Sequence, residues 1–315
     1  MPHLAGRTCS SFDRSCRQRH GLRPDPPHPP AAWPPARFRA SPRVLQRREA
    51  LTALAVLRQE GCLKARHPRL EPGAIAETVL LNTSGGITGG DDLSVDIHAG
   101  AGTRLVVTTQ AAERLYRATP GSLPATIRTN LTAKAEATLE WLPQETILFD
   151  ACRADRTLSV DLAPSARFLG VESLLFGRQA SGETIRTAWL MDRIRIRQGG
   201  TLLLHDATRI AGDASALMAR AGTFADARAM ATIVSVGPEA EATVPALRAA
   251  LGDGTLPAGP LEAPVQFGVS AWNGLVLARL LAADGARLRQ AVMTALSILR
   301  SDAAAAARLA TIEGG

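Results

Sequence analysis

From Glu77 onward, apolar and polar residues alternate in short segments that recur roughly every ten residues, the pattern of a β-rich body. In residues 93–98, Leu93, Val95 and Ile97 share one face while Ser94, Asp96 and His98 share the other, as period-two geometry requires. The same alternation recurs in 126–132 and 157–162. Residues 104–109, 138–142, 167–176, 184–197, 201–210 and 228–236 are rich in β-branched and apolar side chains and are bounded by Gly, Pro or Asp, so each is predicted to be a strand. Residues 47–59, with Leu51, Leu54, Val56 and Leu57, fit either a short helix or a strand. Helical spacing appears only after Pro238. It is seen first in 239–251 and then in 284–300, where Leu288, Val292, Leu296 and Leu299 form one stripe and Asp284 is placed to cap the helix. The run Ala303 to Ala307 has high helix propensity but no anchoring stripe. The expected architecture is mainly β, with two C-terminal α-helices.

Composition narrows the class. The chain has 315 residues, 46% of them hydrophobic and 21% charged, which suits a globular body with a sizeable core. No apolar run reaches the length of a membrane span, and no apolar stretch follows the first arginines as a secretory signal would require. A soluble, cytoplasmic protein is expected. The net charge of +7 suggests nucleic acid only until it is located: residues 1–69 carry 14 basic and 4 acidic side chains, the remainder 22 and 25. The basicity is local, and no nucleic-acid or membrane partner is expected. Residues 1–45 are rich in proline and arginine without any period, so they are predicted to be a disordered extension preceding a β-rich domain over 46–302 and a C-terminal tail over 303–315. A metal-binding arm built from His3, Cys9, Cys16, His20 and His28 is the alternative for that extension, although its spacing matches no ligand rhythm.

Three features bear on chemistry. The first is the turn Gly85-Gly86-Ile87-Thr88-Gly89-Gly90-Asp91. A phosphate loop would hand the chain to a helix and carry Lys-Ser or Lys-Thr; here an alternating strand follows, so a tight turn with close backbone approach is expected from Gly85, Gly86, Gly89 and Gly90. A small-molecule or nucleotide-binding enzyme using that turn is the competing reading. The second is a series of acidic residues, Asp91, Asp96, Glu140, Glu145, Asp150, Glu172, Glu183 and Asp206, several of them inside apolar strands. Glu172 lies in Phe168-Leu169-Gly170-Val171-Glu172-Ser173-Leu174, where a carboxylate must be protonated, hydrogen-bonded, hydrated or paired. Either an arginine such as Arg167, Arg178 or Arg195 pairs with it, or it faces a polar channel or cation path. The third is scarcity: no Gly-x-Ser-x-Gly and no His-Glu-x-x-His occurs, and the histidines of the body are His67, His98 and His205. Asp96 with His98, and Cys62 with His67, are the remaining metal-ligand pairs to consider.

Residues 80–91, Leu-Leu-Asn-Thr-Ser-Gly-Gly-Ile-Thr-Gly-Gly-Asp, resemble the glycine-rich signature of the UreD family of urease accessory proteins. Gln110-Ala-Ala-Glu-Arg-Leu-Tyr-Arg117, Leu139-Glu-Trp-Leu-Pro-Gln-Glu-Thr-Ile-Leu-Phe-Asp150 and Phe176-Gly-Arg-Gln-Ala-Ser-Gly-Glu183 resemble its later motifs, in order, and Trp272-Asn-Gly-Leu275 its C-terminal region. The resemblance implies a β-helix-like or stacked-sheet body. It further implies a non-catalytic scaffold that joins UreF and the GTPase UreG to the urease apoprotein, with no tightly bound cofactor and transient Ni²⁺ passing along an acidic interior route. By motif, that route maps onto Asp91, Glu172 and Asp206, with Glu145 and Glu183 as further candidates. Both ends depart from the family pattern: a proline-rich segment stands where a strand pair is usual, and the chain ends Ala310-Thr-Ile-Glu-Gly-Gly315 instead of in a basic segment with tryptophan.

Overall fold

The computed structural model describes residues 37–48, 51–68, 75–178, 182–252 and 265–312. Strands dominate them. In chain order they are β1 (Arg37–Arg48), β2 (Leu51–Glu60), β3 (Leu63–Arg66), β4 (Ala76–Asn82), β5 (Asp92–Ala99), β6 (Arg104–Thr109), β7 (Glu113–Leu115), β8 (Ala125–Ala133), β9 (Thr138–Leu142), β10 (Thr146–Leu148), β11 (Arg153–Leu162), β12 (Arg167–Phe176), β13 (Thr187–Gln198), β14 (Thr201–Asp213), β15 (Ala229–Val236), β16 (Gln266–Trp272) and β17 (Leu275–Ala282). The helices are α1 (Ala214–Ala219), α2 (Val244–Gly252) and α3 (Gly285–Ile312).

From β4 to β13 the chain shuttles between two sheets, which makes it a solenoid. One sheet has the order β14-β13-β11-β8-β5-β1-β2, the other β16-β17-β15-β12-β9-β6-β4-β3. Within the first, β5, β8, β11 and β13 are parallel neighbours; within the second, β4, β6, β9 and β12 are. Parallel strands need a long crossover. Here each crossover is itself a strand of the opposite sheet, so successive coils stack residue upon residue. The short β7 and β10 pair in parallel at the corner, and β10 also pairs the end of β12.

Two cores result. One fills the space between the sheets, with Leu93, Leu131, Leu139, Val160 and Ile196 among its residues. The other lies between the outer face of the second sheet and the helices, where Ile233 and Ala278 meet Leu247, Leu288 and Ala295. β12 and β15 are covered on both faces, which is why their sequences read as continuous apolar runs and not as alternation.

The mainly-β body with C-terminal helices is as expected, and its details add to the pattern. Asp284 caps α3, its Oδ1 accepting from Arg287 N at 2.9 Å. The helix continues through the alanine run to Ile312. Residues 240–243 form a 3₁₀ turn before α2. The strand option holds for residues 51–60. β1 begins at Arg37, inside the segment assigned to the extension, because antiparallel pairing with β2 and parallel pairing with β5 give its backbone partners that its composition did not advertise. The hairpin β16–β17 was not read from the pattern, although its turn is Asn273-Gly274 with φ of 49° and 73°, the left-handed pair that a two-residue hairpin demands. The proposed Cys/His arm lies outside the described residues. Among those described, no helix is long and apolar enough to cross a membrane.

Candidate functional site

The glycine turn enters β5, not a helix. Gly85 and Gly90 have φ of +80° and +91°, which non-glycine residues rarely adopt. At Gly89 the reason is space: a Cβ there would stand 2.3 Å from Ser122 Oγ and 3.0 Å from Leu123 O. Gly86 lies under the Tyr116 ring, 2.3 Å from where a Cβ would be. Several of the turn's polar groups are already used. Ile87 N donates to Arg114 O at 2.8 Å, Thr88 N to Asp91 Oδ2 at 2.9 Å, and Tyr116 OH to Gly85 O at 3.1 Å. The Ile87 and Thr88 amides are thus spent on holding the corner together.

Beside this turn a cavity of about 210 Å³ opens between the sheets. Most of its wall is apolar, including Leu80, Ile87, Leu93 and Ile127, but Glu113, Arg156, Glu172 and Asp192 also face it. The stacking of the solenoid explains how. Leu93, Ile127, Arg156 and Asp192 occupy one column across β5, β8, β11 and β13, so two charged residues replace the leucine and isoleucine of earlier coils. Arg156 Nη2 donates to Glu172 Oε2 at 2.5 Å and its Nη1 to Asp192 Oδ2 at 3.1 Å. Trp141 Nε1 donates to the other Glu172 oxygen at 2.7 Å. These three charged side chains are 9–12% exposed. On their far side is a second void of about 10 Å³, lined by Glu172, Asp192, Asp206, Thr208 and Thr232. That is the space of a single water, whereas the larger cavity has room for several. Asp206 in turn pairs with Arg279, whose side chain is 46% exposed. A polar row therefore crosses the apolar interior, from Glu113 through Arg156, Glu172 and Asp192 to Asp206.

The electrostatics of the row are unbalanced. One guanidinium serves two carboxylates. Burial pushes Asp192 up, Arg156 pulls it down, Glu172 and Asp206 push it up again and the charge of Arg193 lowers it slightly, with a result of about 6. Burial also raises Glu113, against which the Arg114 amide at 2.9 Å and Asn82 Nδ2 at 3.0 Å are its hydrogen-bond donors.

The five residues expected along an acidic route divide between this row and its surroundings. Glu172 and Asp206 lie in it. Glu145 falls in sequence between the lining residues Gln144 and Thr146 without lining the cavity itself, and it reaches Arg289 of α3 at 3.0 Å. Asp91 ties the glycine turn, and Glu183 pairs with Arg178 at 2.8 Å; neither lines the two voids. The arginine on Glu172 is Arg156, not Arg167, Arg178 or Arg195. Arg156, Asp192 and Glu113 were missed, and the signal for the first two was phase. Asp192 falls on the buried phase of Ala188, Leu190, Ile194 and Ile196, and Arg156 on that of Ala154, Leu158 and Val160.

Of the other acidic residues, Asp150 is held by Arg186 N, Thr187 N and the guanidinium groups of Arg117 and Arg186. Glu140 faces α3 and pairs with Arg300 at 2.9 Å. Asp96 accepts from Asn130 Nδ2 at 2.8 Å, and His67 Nδ1 lies 3.1 Å from Thr78 Oγ1. Cys62 and Cys152 are buried free thiols, the latter raised by burial to about 12 and so unreactive as a thiolate. Among the described residues, no group of three or more His, Cys, Asp or Glu side chains is arranged to hold a metal ion.

A family model described as UreD urease accessory protein matches residues 39–312. The chain is 42% identical over 275 residues to a protein named urease accessory protein UreD from Sinorhizobium medicae, covering 87% of this chain and 94% of the relative. It is 44% identical over 267 residues to the protein of that name from Chelativorans sp., covering 84% and 90%. With that from Agrobacterium fabrum it shares 42% identity over 255 residues, covering 81% and 84%.

Proposed function

Because the chain belongs to the UreD family of urease accessory proteins, with a role in urease maturation, we propose that it is a non-catalytic scaffold whose interior row of carboxylates conducts nickel toward apo-urease. Its partners in this reading are UreF, the GTPase UreG and the urease apoprotein. The observation that carries the reading is the pair of voids sharing Glu172 and Asp192 as a common wall, within a core whose side chains are mostly apolar. Buried carboxylates are costly and need a reason. Carboxylate and water hold a borderline cation such as Ni²⁺ less tightly than thiolate or imidazole do, which suits a path that must release its cargo. Nickel is the cargo here, not a resident cofactor.

Association with partners has support at the sheet edge. β2 ends the first sheet and exposes Leu54, Val56 and Leu57, an apolar edge of the kind that proteins cover. Co-expression with the urease operon proteins, followed by size-exclusion chromatography, tests the scaffold: a stable complex is expected, and elution of separate monomers at micromolar concentration contradicts it. Glu172→Ala tests the path. It is expected to leave the complex intact while lowering urease activation, and unchanged activation would remove Glu172 from the route.

A further inference from the structure

Glu172 and Asp192 are the wall that the two voids share, and a positive group already sits between them. Arg156 gives one Nη to each carboxylate, so the guanidinium takes the place that a travelling cation would need. The same side chain borders the 210 Å³ cavity, on whose wall Glu113 offers a further carboxylate beside Glu172 and Asp192. Among the described residues the hydrogen-bond donors to Glu113 are neutral, Asn82 Nδ2 and the Arg114 amide, and it lies close enough to Arg156 for each charge to influence the other's titration. The cavity supplies the room to move, and Glu113 supplies a place to land.

We propose that Arg156 determines which cations enter the row: at rest it fills the Glu172–Asp192 pair, and it yields to a divalent ion by swinging across the cavity to Glu113. This rests on the nickel-path reading. The physics is a competition between charges. A tethered guanidinium brings one positive charge and two charge-assisted hydrogen bonds to the pair, at the high effective concentration of an attached group. An alkali ion offers the same single charge without the hydrogen bonds, so it does not displace the side chain. A divalent ion brings twice the charge to two carboxylates, and the released guanidinium recovers a partner in Glu113. No bond is made or broken beyond ion coordination, and charge is conserved in the exchange.

A double-mutant cycle on the purified full-length chain tests this, with NiCl₂ binding followed by titration calorimetry in about 0.15 M KCl. Arg156→Met is expected to tighten Ni²⁺ binding about tenfold, because the resident competitor is gone. Glu113→Gln is expected to weaken Ni²⁺ binding about fivefold while Arg156 is present, and by less than about twofold once Arg156→Met has been introduced. Equal effects of Glu113→Gln in both backgrounds, or no gain from Arg156→Met, would overturn the proposal. If Arg156→Met does not fold, the pair Arg156→Met with Asp192→Asn, which keeps the net charge of the site, replaces it and carries the same expectation for Glu113. The path reading fails separately: normal urease activation with Glu172→Gln would refute the route while leaving the binding cycle unaffected.

Discussion

Asp150 and Asp192 are both buried aspartates, and the protein shifts their acidities in opposite directions. At Asp150, burial raises the carboxyl, but the Thr187 and Arg186 amides and the Arg186 guanidinium outweigh it, leaving a value of about 2. Among the described residues the only ion pair of Asp192 is with Arg156, which is shared with Glu172, and burial together with the neighbouring carboxylates leaves it at about 6. The corner around Asp150 is fully satisfied and works as structure: it joins the end of β10 to the start of β13. The interior around Asp192 is short of positive charge by one. A deficit of that kind is what a site for passing cations needs, and an ordinary core has no use for it.

The sharpest way to break the contrast is to remove the shared arginine. Arg156→Ala leaves two buried carboxylates without a counter-charge and is expected to cost about 3–5 kcal/mol, read as a fall in the urea midpoint at constant m-value. Asp150→Ala is expected to cost roughly 2–3 kcal/mol near neutral pH. Because the Asp150 pKa is depressed on folding, its stabilisation is full above the unfolded value near 3.8 and is lost as pH falls through about 2; the variant and the wild type should therefore converge in acid. A cost that persisted unchanged at low pH would mean that the carboxylate charge is not what matters there.

Asp192 should behave with the opposite sign. Its pKa is raised on folding, so the folded state resists its ionisation, and a stability cost appears as pH rises from about 4 and is complete above about 6. Asp192→Asn is expected to stabilise the protein by about 1–2 kcal/mol at alkaline pH and to give no gain near pH 4. Destabilisation at every pH would show that the pairing with Arg156 outweighs burial. The smallest effect is expected outside the row: Arg289→Ala breaks a pair with Glu145 in which the arginine is 54% exposed, and it should change stability by no more than about 1 kcal/mol.

Much of the strand order was legible because half-buried strands alternate, as Leu93, Val95 and Ile97 do against Ser94, Asp96 and His98. The hairpin β16–β17 was less so, since β17 is apolar at nearly every position, with Leu275 and Leu277 facing the first core and Val276 and Ala278 the second. α1 is too short to show a period. Within the site, Glu172 announced itself as a charge in an apolar run, and Asp206 was reached through the family motif. Arg156 and Asp192 stayed hidden because their strands are polar on the outer face, so one more charged residue draws no notice until its phase is compared with its neighbours. Their meeting also depends on coil stacking, which places residues 36 positions apart in one column.

The central claim is that interior carboxylates, and not those at the periphery, carry nickel. The direct measurement is the nickel content of urease matured in cells with two amide sets: Glu172→Gln with Asp192→Asn and Asp206→Asn, and separately Asp91→Asn with Glu145→Gln and Glu183→Gln. With complex assembly verified in both, the interior set is expected to lower nickel per active site by about tenfold, and the peripheral set to change it by less than about twofold. Equal nickel content in the two, or a loss confined to the peripheral set, would contradict the passage.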